Sequence, residues 1–383
     1  MSTFAEVPEQ SEAKRLLEAA LAAAHAAGKA GGVRPGDPAV AGGRGEGPAH
    51  AYLLHGPPGV GKSVAAFAFA AALLGDARRV EARTHPDLYV LEPLGEMIRI
   101  DEVRALRHDL HMRPFEAERR VYVVLGAERM NEDAADALLK DLEEPPSYAV
   151  IVLVASELGP LPPTILSRCQ LVPFRRLSER GVREWIAAQV PGRDETQVRA
   201  LARAAAGRLD RARRLLDPAA AERRAALIAT ARAVYLDPDF EPADGAATIL
   251  AAADARAQEA KEHEREAVES LEVTAREADQ RVRRAAWGAE REELLAGLEG
   301  LEAWYRDLVV VAAGAEQAAI HADRLDELRA DAALGLGEGP ERAAESVREV
   351  WRALEEFNLN ASLAFEALFV RLRRDLRASV LVP

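Results

Sequence analysis

Eight consecutive residues constrain this chain more than any other feature. Gly56-Pro57-Pro58-Gly59-Val60-Gly61-Lys62-Ser63 fits G-x-x-x-x-G-K-[ST] at every fixed position. The short apolar run Tyr52-Leu53-Leu54 precedes it, and Ser63–Leu74, apolar on nearly every side, follows it. A buried strand, a glycine-rich loop and a buried helix, in that order, are what a phosphate-cradling loop requires. The glycines let backbone N–H groups turn inward around phosphate oxygens, and the helix N-terminus adds its partial positive charge. Lys62 is then placed to reach the terminal phosphates, and the Ser63 hydroxyl to ligate magnesium. Lysine is rare in this arginine-rich chain (Lys14, Lys29, Lys62, Lys140 and Lys261), which singles out the compact ammonium at Lys62. The bland alternative is a Gly/Pro turn leading into a helix. Both flanks being right weighs against it.

The remaining patterns agree with a loop of this kind. Apolar runs fit strands at Leu88–Leu91, Val121–Leu125, Val150–Val154 and Leu171–Phe174. Helical patterns lie between them at Asp101–Leu110 and Asn131–Glu143, with a short one near Ile165. This alternation predicts an α/β unit with a parallel five-stranded sheet and helices on both faces. Residues 4–28 read as a helix carrying Leu16, Leu17, Ala20, Leu21 and Ala24, and Gly28–Pro48 as a flexible surface loop. After Phe174 strand patterns stop. Ser178–Leu216 predicts three short helices broken at Pro191-Gly192 and Gly207, and residues 218–383 are helical with breaks at Pro238, Pro242 and Gly335–Pro340. Val268, Leu271, Ala275, Ala278, Val282 and Ala285 form a short heptad stripe, thin because of its alanines, and predict a helical arm packed on the body. No repeat of solenoid type is present. The expected division is 1–177 for the α/β domain, 178–236 for a small helical lid, and 237–383 for a helical C-terminal domain with its arm at about 251–290.

Composition removes several classes of function. No stretch approaches the ~18 apolar residues that span a bilayer, and Met1–Leu17 lacks an apolar signal core. A soluble, cytoplasmic protein without a membrane partner is expected. The single cysteine, Cys169, allows no internal disulfide and no cysteine-built zinc site. A formal net charge of −13 and a pI near 5.3 argue against strong DNA binding by the isolated chain. The arginine excess from Arg168 to Arg224 reads as solvated helix faces rather than a DNA site.

Hydrolysis needs more than the loop. A second strand must end in acids, one for magnesium and one to polarise the attacking water. The candidate strand Val121-Tyr122-Val123-Val124 is followed by Leu125-Gly126-Ala127-Glu128. Leu125 and Gly126 stand where the acids belong, and neither can hold a metal-bound water or accept a proton. Glu128 lies beyond the strand end and reads as a carboxylate near the next helix N-terminus. Losing a general base costs roughly 10²–10⁴ in rate. The site is therefore expected to admit ATP or ADP with magnesium while hydrolysing poorly or not at all.

Four segments carry a family resemblance: Ala51–Ser63, then His85-Pro86-Asp87-Leu88, then Ala134–Pro146 with Leu142-Glu143-Glu144-Pro145, then Leu161–Gln170 with Ser167-Arg168-Cys169. Through them the chain resembles the bacterial DNA polymerase III clamp-loader subunits of the AAA+ class, within them the delta-prime type. The resemblance is strong from about Ala51 to Phe174 and weaker elsewhere, where Asn358–Leu372 looks like the end of the family's collar domain and Phe4–Gln10 like a weakened opening motif. Relatives carry a four-cysteine zinc module that is missing here between Gly75 and His85. The family's second sensor arginine falls at Asp210, with Arg211 adjacent, so no sensor residue is assigned.

The resemblance implies a job. Five AAA+ subunits form an open ring through helical collars, open a sliding clamp with ATP, and close it on primer–template DNA. In that setting Arg168 would serve in trans as an arginine finger in a neighbour's ATP site, and the gamma/tau and delta subunits would be direct partners. The local alternative is a salt bridge made by Arg168 within its own chain. Two other functions remain open: an active ATPase motor of the gamma/tau type, opposed by Leu125 and Gly126, and a solitary AAA+ regulator, opposed by Ser167-Arg168-Cys169 and the helical C-terminal half.

Overall fold

The computed structural model describes residues 3–29, 49–93, 97–269, 275–356 and 359–377. Most of the loop expected at Gly28–Pro48, from residue 30 on, lies outside them, as do Leu271 and Asn358. The chain divides into two compact units, residues 1–181 with 208–210, and residues 182–207 with 211–383.

The first unit is built on five strands: β1 (Ala51–His55), β2 (Leu88–Leu91), β3 (Arg120–Leu125), β4 (Ala149–Ala155) and β5 (Gln170–Pro173). They pair in parallel in the order β2-β3-β4-β1-β5. Leu53 stands opposite Leu153 on one side and Leu171 on the other. Its helices are α1 (Ser11–Lys29), α2 (Lys62–Leu74), α3 (Ala77–Glu81), α4 (Ile100–Leu110), α5 (Glu132–Glu143) and α6 (Pro163–Leu166). The strand pleat splits the core in two. Tyr52, Leu54, Val121, Val123 and Val152 pack with Leu17 and Phe69 of α1 and α2. Leu53, Tyr122, Val124, Ile151 and Leu153 pack with Leu106, Leu138 and Ile165 of α4, α5 and α6. Covering both faces explains why the central strands read as continuous apolar runs. Each fully buried side chain of this size contributes about 1.5–3 kcal/mol. With β1 between β4 and β5, the loop that follows β1 leaves the sheet at its carboxyl edge, where open α/β sheets bind ligands.

Two local features differ from the sequence expectation. The N-terminal helix begins at Ser11 rather than at residue 4, because Glu9 and Gln10 adopt left-handed backbone (φ 55 and 42). Phe4 and Val7 are buried all the same. Gln10 anchors this entry: its Nε2 donates to the Arg175 carbonyl at 2.6 Å, and its Oε1 accepts from the Arg175 N–H at 3.0 Å. The short α3 showed no period in the sequence, since five residues are too few to establish one. Asp76 caps it by accepting from Arg79 N at 3.0 Å.

The second unit shows no strand among its described residues. It comprises most of α7 (Glu179–Gln189), α8 (Glu195–Ala204), nearly all of α9 (Leu209–Leu216), α10 (Pro218–Leu236), α11 (Pro242–Glu269), α12 (Ala275–Ala312), α13 (Leu325–Ala332), α14 (Gly339–Glu356) and α15 (Ala361–Arg377). Its core centres on Trp304, Tyr305, Phe365 and Phe369. The heptad stripe is divided between two helices, with Val268 on α11 and Ala278, Val282 and Ala285 on α12. These run antiparallel: Ile249 packs at Gly297, and Glu264 pairs with Arg281 at 2.7 Å. Polar groups in this core are satisfied as a network. Asp331 accepts from Arg232 Nε at 2.7 Å and from the Tyr235 hydroxyl at 2.6 Å, which accepts in turn from Trp304 Nε1 at 3.1 Å. Among the described residues no helix is long and apolar enough to cross a membrane.

Candidate functional site

The loop between β1 and α2 takes a shape that side chains would obstruct. Gly56, Gly59 and Gly61 all have positive φ (133, 74 and 98). A Cβ on Gly56 would lie 2.1 Å from the Phe174 carbonyl oxygen, so the loop packs flush on the end of β5. Gly61 leads into α2 without a side-chain cap, and the first turn of α2 holds no acid. The leading N–H groups of α2 are thus left for an external anion. Ser63 is exposed at this helix start, while Val60 is fully buried and anchors the loop.

Lys62 is only 6% exposed and donates to the carbonyls of Gly56 at 2.5 Å and Pro57 at 2.6 Å. Burial pushes its pKa down to about 8; the carboxylates of Glu128 and Asp210 pull it up, and Arg208 adds to the depression. The ammonium is therefore folded onto its own loop and neutralised by carbonyls and two acids.

Across the sheet, β3 ends in Leu125 and then Gly126, whose φ of 66 is left-handed. Any side chain at position 126 would pay ~1–2 kcal/mol for this backbone. Glu128 lies in the single 3₁₀ turn Ala127–Arg129. It interacts electrostatically with Lys62, and its Oε2 is buried without a hydrogen-bond partner. The cap of α5 is Asn131 instead, accepting from Ala134 N at 3.0 Å. The residues present fit a polyphosphate chain. For magnesium they offer the Ser63 hydroxyl and the Glu128 carboxylate, with none at positions 125 and 126.

Arg168 follows α6, a one-turn helix opened by Pro162 and Pro163. Its guanidinium donates to the Thr164 carbonyl at 2.9 Å and pairs with the Glu143 carboxylate at the end of α5. Cys169 packs against the α4–α6 face of the core, and burial pushes its thiol up to about 12.

A further group was not assigned from sequence. Leu209 N donates to the Gly59 carbonyl at 2.6 Å, and Asp210 N lies 3.4 Å from the same oxygen. A Cβ on Gly59 would lie 2.0 Å from Asp210 Oδ1, so the carboxylate fills the space that glycine leaves. Arg208 grips that carboxylate with two bonds, Nε to Oδ1 at 3.2 Å and Nη2 to Oδ2 at 2.7 Å. The only sequence signal for Arg208 was its position directly after the Gly207 break.

Residues 44–178 match the family described as "DNA polymerase III, delta subunit". DNA polymerase III subunit delta' of Bacillus subtilis is 34% identical over 152 residues, 37% of this chain and 46% of that protein. The subunit delta' of Pseudomonas aeruginosa is 36% identical over 195 residues, 47% of this chain and 60% of that protein. DNA polymerase III subunit tau of Bacillus subtilis is 29% identical over 187 residues, 44% of this chain and 33% of that protein. The chain thus spans about half the length of the delta' relatives it matches.

Proposed function

We propose that the chain, whose residues 44–178 match the family described as "DNA polymerase III, delta subunit" and resemble the delta' relatives, serves as a DNA polymerase III clamp-loader subunit that does not hydrolyse ATP itself and lends Arg168 to a neighbouring ATP site. The observation that carries the hydrolysis reading is the end of β3, where an intact phosphate loop faces Leu125 and a left-handed Gly126 instead of two acids. Binding a phosphate chain uses backbone N–H groups, Lys62 and Ser63, all present. Activating water needs a carboxylate at the strand end, and that position offers none.

In this reading Lys62 exchanges its two loop carbonyls for phosphate oxygens, and Ser63 shares any magnesium that accompanies the nucleotide. Arg168 exchanges Glu143 for charge on a phosphoryl group held by the adjoining subunit. An arginine in that role is worth ~10³–10⁵ in rate in comparable NTPases. Residues 178–236 then act as the lid and 237–383 as the collar. The partners are the gamma/tau and delta subunits, and through the complex the sliding clamp and primer–template DNA. The decisive experiment reconstitutes the loader with wild-type chain or Arg168→Ala. A fall in DNA- and clamp-stimulated ATPase with normal assembly supports the reading; unchanged ATPase and loading rate removes it.

One observation favours a second reading, an active ATPase. Glu128 has a buried, unpartnered Oε2 and interacts electrostatically with Lys62, and in this reading it stands in for the missing base. Steady turnover by the purified chain, abolished by Glu128→Gln, would establish that function in place of the first.

A further inference from the structure

An anion-binding loop should present positive charge to its ligand, yet here an acid rests on it. Asp210 Oδ1 occupies the space a Gly59 side chain would need, and the Leu209 N–H fixes the approach through the Gly59 carbonyl at 2.6 Å. The bidentate grip of Arg208 holds the carboxylate there. Moving Asp210 off the loop means breaking the Leu209 N–H bond to the Gly59 carbonyl, while Arg208, two residues away, travels with the carboxylate. Lys62, meanwhile, spends its donors on Gly56 and Pro57 and shares its field with Asp210 and Glu128.

We propose that Asp210, clasped by Arg208, is a charge gate on the phosphate loop, lowering the loop's affinity for polyphosphate anions until the pair moves away from Gly59. The proposal rests on the loop being a nucleotide site. It explains what that reading alone does not: why a loop with every fixed residue in place sets a carboxylate against Gly59. It also gives Arg208 and Asp210 opposite signs of effect, which a purely structural ion pair would not. Removing the acid relieves repulsion, whereas removing the arginine takes away the bidentate counter-charge on the acid. For a unit charge about 5 Å from the ligand, the change in affinity runs from roughly fourfold with bulk-water screening to a few hundredfold near a protein surface, and the Arg208 counter-charge keeps it toward the low end, on the order of tenfold.

The test titrates magnesium-ATP and magnesium-ADP into the full chain by calorimetry. Asp210→Asn is expected to bind both about tenfold more tightly than wild type, and Arg208→Ala more weakly than wild type. The Arg208→Ala/Asp210→Asn double variant should stay tighter than wild type. Asp210→Ser repeats the measurement if the asparagine variant fails to fold, as judged by circular dichroism. Equal or weaker binding by the folded Asp210 variants, with wild-type binding that still depends on Lys62, overturns the gate and leaves the nucleotide site standing. Failure of every variant to bind at millimolar nucleotide, or binding indifferent to Lys62→Ala, overturns both.

Discussion

The guanidinium of Arg168 is held within its own chain by the carboxylate of Glu143, the last residue of α5. Both side chains are substantially exposed, 31% and 49%, so the pair is screened and contributes little. Arg168→Ala is expected to shift the stability of the isolated chain by no more than about 1 kcal/mol, measured by urea unfolding. In the reconstituted loader the same change should lower stimulated ATPase, only partially if other sites contribute. Arg168→Lys should rescue incompletely, because an ammonium keeps the charge without the planar fork. Glu143→Gln releases the guanidinium and should leave ATPase undiminished. A loss equal to that of Arg168→Ala would show that the ion pair itself is what matters.

Gly126 gives a stability prediction independent of partners. Its φ of 66 penalises any side chain, although a Cβ would meet nothing closer than Arg129 Cδ at 3.5 Å. Gly126→Ala should therefore destabilise by about 1–2 kcal/mol through backbone strain alone.

The lowered pKa of Lys62 makes nucleotide binding pH-dependent. Its value of about 8 belongs to the free loop, and a bound phosphate chain would raise it by favouring the ammonium. Binding then takes up a proton once the free loop has lost one. Affinity should be level below pH 8 and fall above it, by at most about tenfold per pH unit for one proton. Lys62→Arg, charged throughout this range, should abolish the slope even if its affinity is lower. Titrations from pH 7 to pH 9.5 check this.

A second pH effect should appear in the helical unit. His321 is 3% exposed, and its Nδ1 lies 2.9 Å from Asp307 Oδ2. Burial lowers its pKa below the ordinary value, and the Asp307 hydrogen bond only partly opposes this. The unfolded chain, with histidine near 6.5, binds the proton more readily than the folded one. Stability from this group is therefore present above about pH 6.5 and lost as pH falls toward the depressed folded value. Thermal melts between pH 7.5 and pH 5 should show the decline, and His321→Gln should flatten it.

Much of the α/β unit was legible because its signals are local. Tyr52-Leu53-Leu54 and Val121-Tyr122-Val123-Val124 are apolar runs buried on both faces, and Leu88–Leu91 is a shorter run on the sheet edge with Leu91 buried. Gly75 ends α2 as expected, with φ 77 and its N–H on the Ala71 carbonyl. What stayed hidden depends on side chains that meet across long stretches of sequence. Nothing near Gln10 announces Arg175, 165 positions away, and no period reveals the left-handed turn that starts α1 late. The same holds at the site. Gly56–Ser63 identified itself by spacing, whereas Leu209 and Asp210 reach Gly59 from about 150 residues downstream, and the resemblance there marked only a sensor position that carries an acid in place of arginine. Glu128 reads from its neighbours as a carboxylate near a helix N-terminus; the cap of that helix is Asn131, and Glu128 also interacts electrostatically with Lys62, which no local pattern shows.

The strand order also governs how the protein comes into being. β1 is translated first but lies between β4 and β5, the last two strands made. A nascent chain that has emerged through β3 can pair β2 with β3 and nothing else, leaving Ala51–His55 with neither hydrogen-bonded neighbour. Such non-local pairing is slow and exposes apolar edges while it waits. The phosphate loop therefore acquires its shape only after residue 174 has left the ribosome, when Phe174 N can bond the His55 carbonyl and close the sheet. Premature termination before β4 is made yields a chain whose largely apolar β1 has no hydrogen-bonded neighbour, a substrate for chaperones and proteases rather than a shortened version of the protein.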